Sequence, residues 1–364
     1  MFVFFVCIVI VLSLLYYFNI SRESPFLNIQ SVALAVILFL VLFLEVTKNN
    51  DWINYTSVFN QKIESSDYLF GILSHFLRDY GYSFSFLYKI HIIIMAVLFV
   101  YFASRFRKSD TFIIICIYAI LQFVPLSNQI RFYVAFALFL TASYELIVAK
   151  NKIIFGIFTC FSVMSHLTII LMFPFIFMFY RYNTEVYLKR ILLWCVGFSV
   201  VFWASYKILI ALVPQYTSYF DPKMISSFGG GLFNNFIWIF WFLFVIRTHL
   251  DLKKENSEKL DADLKYNFLY KLSLYSIIVL PVSTFIQIFC HRYIISSIIV
   301  WVAYLTYANN YKNNRVERIK SFSFLIILFE GTFIFLYLLP DFILGVSGFR
   351  AALEILKSNA LIFP

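Results

Sequence analysis

Long apolar runs separated by short polar breaks set the plan of this chain. Apolar stretches cover residues 2–18, 28–46, 84–104, 111–126, 131–149, 153–180, 191–213, 233–249, 268–289, 293–309 and 321–339. Most approach the roughly 20 residues an α-helix needs to cross a hydrocarbon core. In lipid the backbone must satisfy its own hydrogen bonds, so such runs read as helices. The pattern predicts an all-α polytopic integral membrane protein of about 11–12 transmembrane helices. Residues 1–18 lack a basic leading segment and a small-residue cleavage site, so they read as a first span rather than a removed signal.

The polar breaks orient the spans. "RFRK" (105–108), "KNK" (150–152), "YRYNTEVYLKR" (180–190), "DLKKENSEKLDADLKYN" (251–267) and "YKNNRVERIK" (311–320) hold most of the basic residues. Lys and Arg collect in cytoplasmic loops, which puts all five on the inside. Each interval between them must then hold an even number of crossings. Two spans fit between 108 and 150, turning near "PLSNQ". Two fit between 190 and 251, and two between 267 and 311, turning at "CHRY". Between 152 and 180 parity asks for two short pieces, broken near Ser165 and His166. Counting back makes residues 47–83 one long external loop and places the N-terminus outside. With no repeat and no soluble segment, residues 1–364 read as a single transmembrane domain.

Composition narrows the class further. The chain is 62% hydrophobic and 13% charged, whereas soluble domains carry about 25% charged residues. The net charge of +10 belongs to the basic loops, and no nucleic-acid motif accompanies it. The five cysteines form no CxxC pair, so neither a disulfide frame nor a metal site is expected. Walker, HExxH and GxSxG patterns are absent from the sequence. No cofactor is expected.

Parity gathers the unusual polar residues at external turns: Asp51, Asp67, Arg131, His166, Asp221, Gly229–Gly231, His291 and Arg292. Arg131 heads the run "RFYVAFALFL". An arginine there is either an anchor reaching lipid headgroups or a fixed cation facing a water-filled cavity. Its planar fork suits phosphate oxygens. His166, flanked by "FSVM" and "LTIILMFPF", reads as a structural histidine, a phosphate donor or an acid–base group. His291 and Arg292 read as an interfacial turn or a second anion-binding arm. The segment 49–88 interleaves Asp51, Glu64 and Asp67 with Trp52, Tyr55 and Tyr68. Aromatic faces and carboxylates suit sugar rings and hydroxyls. Residues 67–80 also fit a short amphipathic helix on the membrane surface. The glycines at 229–231 read as a mobile loop or a simple flexible link. Glu145 is expected to pair with Lys150, and Glu330 lies mid-span.

Four stretches in order resemble the EpsG-type family: "DWINYTSVFN" with "DYLFGILSHFLRDYGYSFSFLY", then "NQIRFYVAFALFL", "SVMSHLTIILMFPF" and "HRYIISSIIVWVAYL". Where the family commonly carries glutamine after the arginine, Phe132 stands here, and Gln129 precedes. The resemblance implies a Wzy-like polymerase of O-antigen or capsule repeats at the outer face of the bacterial plasma membrane. It implies transfer of a growing glycan from undecaprenyl diphosphate to a lipid-linked repeat unit, with undecaprenyl diphosphate leaving. In that chemistry Arg131, His166, His291 and Arg292 would bind the diphosphate. Trp52, Tyr55, Asp67 and Tyr68 would meet sugar, and Asp51 or His166 would take the acceptor proton. No metal would take part. Partners would be the lipid-linked glycan, membrane lipid and a chain-length regulator, but no nucleic acid. An O-antigen ligase and a transferase using polyprenyl-phosphate sugars share much of this chemistry. A lipid-linked glycan flippase would place its charges nearer mid-membrane, with internal repeats.

Overall fold

The computed structural model describes residues 11–12, 25–61, 67–212, 217, 220, 225–312, 314–339 and 348–363. Most of the first predicted span, with Glu64 and Asp221, lies outside the described residues. Regular structure among the described residues is helical, with two isolated bridges pairing Val46 with Asn359 and Ile225 with Ile286. Among the described residues six helices are long and apolar enough to cross a membrane, within 84–104, 130–147, 184–208, 228–262, 287–311 and 315–338. The protein is an all-α, multi-pass membrane protein. It divides into two compact units, one built from residues of 1–174 and 312–364, the other from 175–311.

The first unit opens with α1 (Pro25–Phe43), α2 (Trp52–Asn60), α3 (Tyr68–Asp79) and α4 (Phe84–Ser104). The expected long loop at 47–83 therefore holds two short helices. A single span expected over 111–126 is instead α5 (Thr111–Leu121) and α6 (Phe123–Asn128). Pro125 explains the break, because it has no N–H to offer the carbonyl of Leu121. The Tyr337 hydroxyl donates to the carbonyls of Ile120 and Leu121, each at 3.1 Å. Buried Gln122 accepts from the Tyr133 hydroxyl at 2.7 Å.

The centre of this unit is α7 (Ile130–Ile147), buried along nearly its whole length. A helix that is apolar all round belongs inside a bundle. Small residues such as Ala135 let α8 (Lys152–Ser165) approach closely, the usual device of packed membrane helices. The Ser162 hydroxyl donates to the Ala135 carbonyl at 2.7 Å. The helix stops at His166, whose backbone is extended (φ −160°, ψ 114°), and a 3-10 turn follows over Leu167–Met172. The break expected near Ser165–His166 is there. At the other end of α7, Glu145 accepts from the Tyr101 hydroxyl at 2.5 Å and lies 4.0 Å from Arg105.

Ahead of α5, Asp110 is 1% exposed and accepts from the Ser109 hydroxyl at 3.2 Å. Burial pushes its carboxyl up from 3.8 to about 6, against the opposing pull of Arg107 and Ser109. The folded chain holds this proton more tightly than the unfolded chain. That contribution is complete below pH 3.8 and is lost as pH climbs through about 6. At neutral pH the charged group costs about 3 kcal/mol. Asp110→Asn is expected to raise the unfolding temperature at pH 7.5, with the gain shrinking as pH falls toward 4. An equal gain at both ends of that range would show that charge is not the cause.

The second unit contains most of α9 (Pro174–Arg181), then α10 (Thr184–Leu212), α11 (Phe228–Ala262), α12 (Leu264–Tyr275) and α13 (Ile298–Ala308). The basic segment 251–267, expected as a loop, is mostly the end of α11, kinked at Asn256 (φ −131°, ψ 27°). The span expected over 268–289 is broken. After α12 come a 3-10 turn at Ser276–Val279, a short turn at Leu280–Ser283, and a π turn at Cys290–Ile294. Asp263 caps α12 by accepting from the backbone N–H groups of Lys265 and Tyr266, and also accepts from the Tyr307 hydroxyl at 2.8 Å. Buried Lys271 donates to the carbonyls of Phe179, in the last turn of α9, and Tyr182, just beyond its end.

The glycine run does not form a loop. Gly229–Gly231 make the first turn of α11, capped by Ser227, whose hydroxyl oxygen accepts from the Gly230 N–H at 3.2 Å. Gly231 sits where a Cβ would lie 1.6 Å from the carbonyl oxygen of Thr284. The chain returns to the first unit with α14 (Arg315–Phe333) and α15 (Gly348–Lys357). The Asn359 amide then donates to the carbonyls of Val41 and Leu42, fastening this segment to the end of α1.

Candidate functional site

Four residues from separate parts of the first unit meet at one end of α7. Arg131 lies in its first turn, where the unpaired N–H groups of a helix favour anions and disfavour a cation. A counter-ion answers that cost. Arg131 Nη1 donates to Asp67 Oδ2 at 2.7 Å. The guanidinium also lies over the rings of Tyr55 and Phe70, 4.9 and 5.1 Å from their centroids.

Asp67 stands at the N-cap of α3, yet its side chain makes no capping bond to that helix. N-cap aspartates ordinarily spend their carboxylate on the first turn. This one faces across to Arg131, and its Oδ1 lies 3.6 Å from His166 Nδ1. His166 is held by the break after α8. Its Nδ1 also lies 3.4 Å from the Thr168 hydroxyl, and Phe132 packs edge-on against its ring at 5.6 Å. Exposure sorts the roles within the cluster. The Asp67 side chain is 3% exposed, His166 7%, and Arg131 27%. The acid and the imidazole are interior groups, and the guanidinium reaches solvent in front of them. A cation supported from behind by a carboxylate and from the sides by two rings can receive an anion without being drawn out of place.

The EpsG family model matches residues 28–344.

The chain belongs to the EpsG family.

No curated protein and no solved structure matches it. EpsG-type proteins are Wzy-like membrane proteins, and membership supports a broadly polysaccharide-polymerase-like role. All nine candidate residues fall inside the matched stretch. In this EpsG-family chain Arg131, His166, Asp67 and Tyr55 come together. Asp51 begins α2 one turn before Tyr55, and its carbonyl accepts from the Tyr55 N–H at 2.9 Å. Trp52 packs edge-on against Phe84 at 4.9 Å and beside Tyr88 at 5.2 Å, a place in the aromatic packing of α4. Tyr68 is 71% exposed. His291 and Arg292 lie on a π turn in the second unit.

Sequence reasoning missed several supporting groups. Asn49 donates from its amide to the Ser127 carbonyl at 2.9 Å, and the Asn50 N–H donates to Asn128 Oδ1 at 3.3 Å. These bonds tie the start of α2 to the "PLSNQ" turn that introduces α7. The polar run "KNND" opposite a second polar run was the available signal. His91 lies behind the aromatic floor, buried and 5.7 Å from Phe70, with its Nδ1 2.8 Å from the Leu87 carbonyl. As a lone histidine in an apolar helix, it gave the sequence no signal.

Proposed function

We propose that this EpsG-family chain is a Wzy-like glycosyltransferase that joins undecaprenyl-diphosphate-linked repeats at the outer face of the plasma membrane. The observation that carries the reading is the Arg131 guanidinium, solvent-reaching and backed by the buried Asp67 carboxylate beside His166. In the reaction the acceptor hydroxyl attacks the anomeric carbon of the donor glycan. The bond from that carbon to the diphosphate oxygen breaks, and undecaprenyl diphosphate leaves with the electron pair. Negative charge grows on the leaving group as the bond stretches, so a fixed cation there stabilises the transition state more than the ground state. Arg131 supplies it, and the first turn of α7 adds dipoles of the same sign. His166 or Asp51 takes the proton of the acceptor hydroxyl. Tyr68, exposed next to Asp67 in the chain, offers a ring face to sugar, while the buried Tyr55 ring steadies the Arg131 guanidinium.

Sidedness follows from charge. α7 runs from Arg131 to the basic "KNK" segment over about 27 Å, the thickness of a hydrocarbon core. With "KNK" held inside by the positive-inside rule, Arg131 lies at the outer end.

The test is the length profile of surface glycan. Deletion of the gene in its own host is expected to collapse the ladder to single capped repeats, with complementation restoring it. Loss of all surface glycan would instead assign a flippase or a ligase. An unchanged ladder would remove the polymerase reading.

A further inference from the structure

One short helix, α3, meets three different surroundings. Phe70, Ser74 and Leu77 are 1%, 4% and 4% exposed and face the protein. Ile72, Phe76 and Tyr80, spaced by one helical turn each, are 56%, 55% and 69% exposed. Leu69 and Leu73 lie half-buried between these two groups. The remaining edge is polar. Arg78 donates from Nη1 to the Phe59 carbonyl at 2.7 Å, while its Nη2 lies 2.7 Å from His75 Nδ1, and both His75 and Asp79 are exposed. A helix packed against a protein in water has an inner apolar side and an outer polar side. α3 has an inner side, an outer apolar stripe and a separate polar edge.

The outer stripe continues into the exposed side of a helix long and apolar enough to cross the membrane. α3 ends in a tight reversal at Gly81, φ +79°. The Gly81 N–H donates to the Arg78 carbonyl and the Tyr82 N–H to the Leu77 carbonyl, both at 2.9 Å. This is a Schellman arrangement, which turns the chain sharply out of one helix. Tyr82 then stacks on Phe86 at 4.5 Å, with 17° between the rings. Phe86, Ile93 and Val97 are the exposed side of α4, at 41%, 46% and 57%. Because α4 is long and apolar enough to span the membrane, that side faces lipid.

We propose that α3 lies in the boundary between headgroups and acyl chains, its Ile72–Phe76–Tyr80 stripe immersed in lipid and its His75–Asp79 edge in water. Amphipathic helices of this kind bury their apolar side about 5–10 Å into that boundary. Tyrosines favour the same depth, with ring in lipid and hydroxyl at the headgroups. The consequence reaches the cluster at α7. Asp67 is the residue that opens α3, so a helix seated on the bilayer surface holds Asp67, and through it Arg131, at the level of lipid phosphates. The proposal stands on the membrane-spanning α4 and holds whether or not the chain is a polymerase.

The test uses full-length protein in proteoliposomes. Cysteines at 72, 75, 76 and 79 are introduced one at a time, with Cys7 and Cys160 replaced by serine, and labelled with bimane. Acyl-chain-brominated phosphatidylcholine is expected to quench labels at 72 and 76 at least about twofold more than those at 75 and 79, and aqueous iodide the reverse. Iodide quenching at 72 and 76 equal to that at 79 would overturn the proposal in favour of a water-facing side. Disulfide cross-links between two chains at position 76, with neither quencher effective there, would assign the stripe to a second copy. On unmodified protein, a phospholipid with a diazirine near its headgroup is expected to attach to peptides covering 68–80. Adducts on α4 with none on 68–80 would equally sink the assignment.

Discussion

Arg131→Ala is expected to collapse the glycan ladder to single repeats and also to lower the unfolding temperature of the purified protein. Two separate losses are involved. The cation proposed to meet the diphosphate disappears, and the buried Asp67 carboxyl, 3% exposed, loses the guanidinium 2.7 Å away. Removing one partner of a buried ion pair costs about 3–5 kcal/mol. Partial exposure of the Arg131 side chain, 27%, puts this site toward the lower end. The two losses can be pulled apart. Asp67→Asn combined with Arg131→Ala removes the stranded carboxyl, so stability is expected to return by about 2 kcal/mol while polymerisation stays absent. Arg131→Lys is expected to hold the fold better than alanine and recover little activity, because a point charge cannot reproduce the two-pronged geometry. Thermal unfolding in detergent and the ladder on a gel, from strains with matched membrane levels, read the two effects separately. A polymerising double variant would mean that Arg131 serves only to neutralise Asp67.

The second large effect is expected far along the sequence, within three consecutive glycines. Gly231→Ala would set a methyl 1.6 Å from the Thr284 carbonyl oxygen, a backbone atom with no side-chain freedom to escape. The two segments are also joined by the Asn235 amide, which donates to the Thr284 hydroxyl at 3.1 Å, and by the Ser283 hydroxyl, which donates to Asn235 Oδ1 at 3.2 Å. Moving α11 away to make room would break these buried bonds. Overpacking a core costs about 1–3 kcal/mol where side chains can adjust, and this contact is with backbone. Gly231→Ala is therefore expected to leave little folded protein in the membrane. Gly229→Ala meets nothing within 4 Å and replaces a helical glycine, so it is expected to be neutral or to stabilise by up to about 1 kcal/mol. Fluorescence-detected size-exclusion profiles of the two variants give the comparison. Equal, normal profiles would show that the close approach at Thr284 is not required.

Much of the fold was legible because lipid forces a simple code. The stretches 84–104 and 131–149 became α4 and α7 almost residue for residue, since unbroken apolar runs leave the backbone no alternative. The helix break at His166 was also legible, because loop charge asked for two pieces between 152 and 180 and the polar Ser165–His166 pair offered the place to turn. The remaining breaks were not. Pro125 and Pro281 lie inside runs that hydropathy counts as continuous, and the groups that satisfy the freed backbone, such as the Tyr337 hydroxyl, come from distant sequence. Gly229–Gly231 looked like a loop because three glycines are poor helix formers. Their helical state depends on a Ser227 cap and a neighbour at Thr284, both tertiary facts. At the candidate site, Arg131 and His166 stood out because a charge or an imidazole in an apolar run is rare. That Asp67 is the residue facing both of them was hidden, since nothing local distinguishes it from Asp51 or Asp79.

The break between α5 and α6 also bears on how the protein is made. The carbonyls of Ile120 and Leu121 are met by a hydroxyl more than two hundred residues later in the chain. A ribosome delivering this protein into the bilayer releases the "PLSNQ" turn, and the start of α7 that depends on it, long before Tyr337 exists. The break between α5 and α6 must therefore wait with those carbonyls unmet through most of synthesis, until Tyr337 follows α14 into the bilayer. Chain-terminating lesions anywhere before Tyr337 should then yield inserted stumps with this break left open, handed to membrane proteases rather than retained.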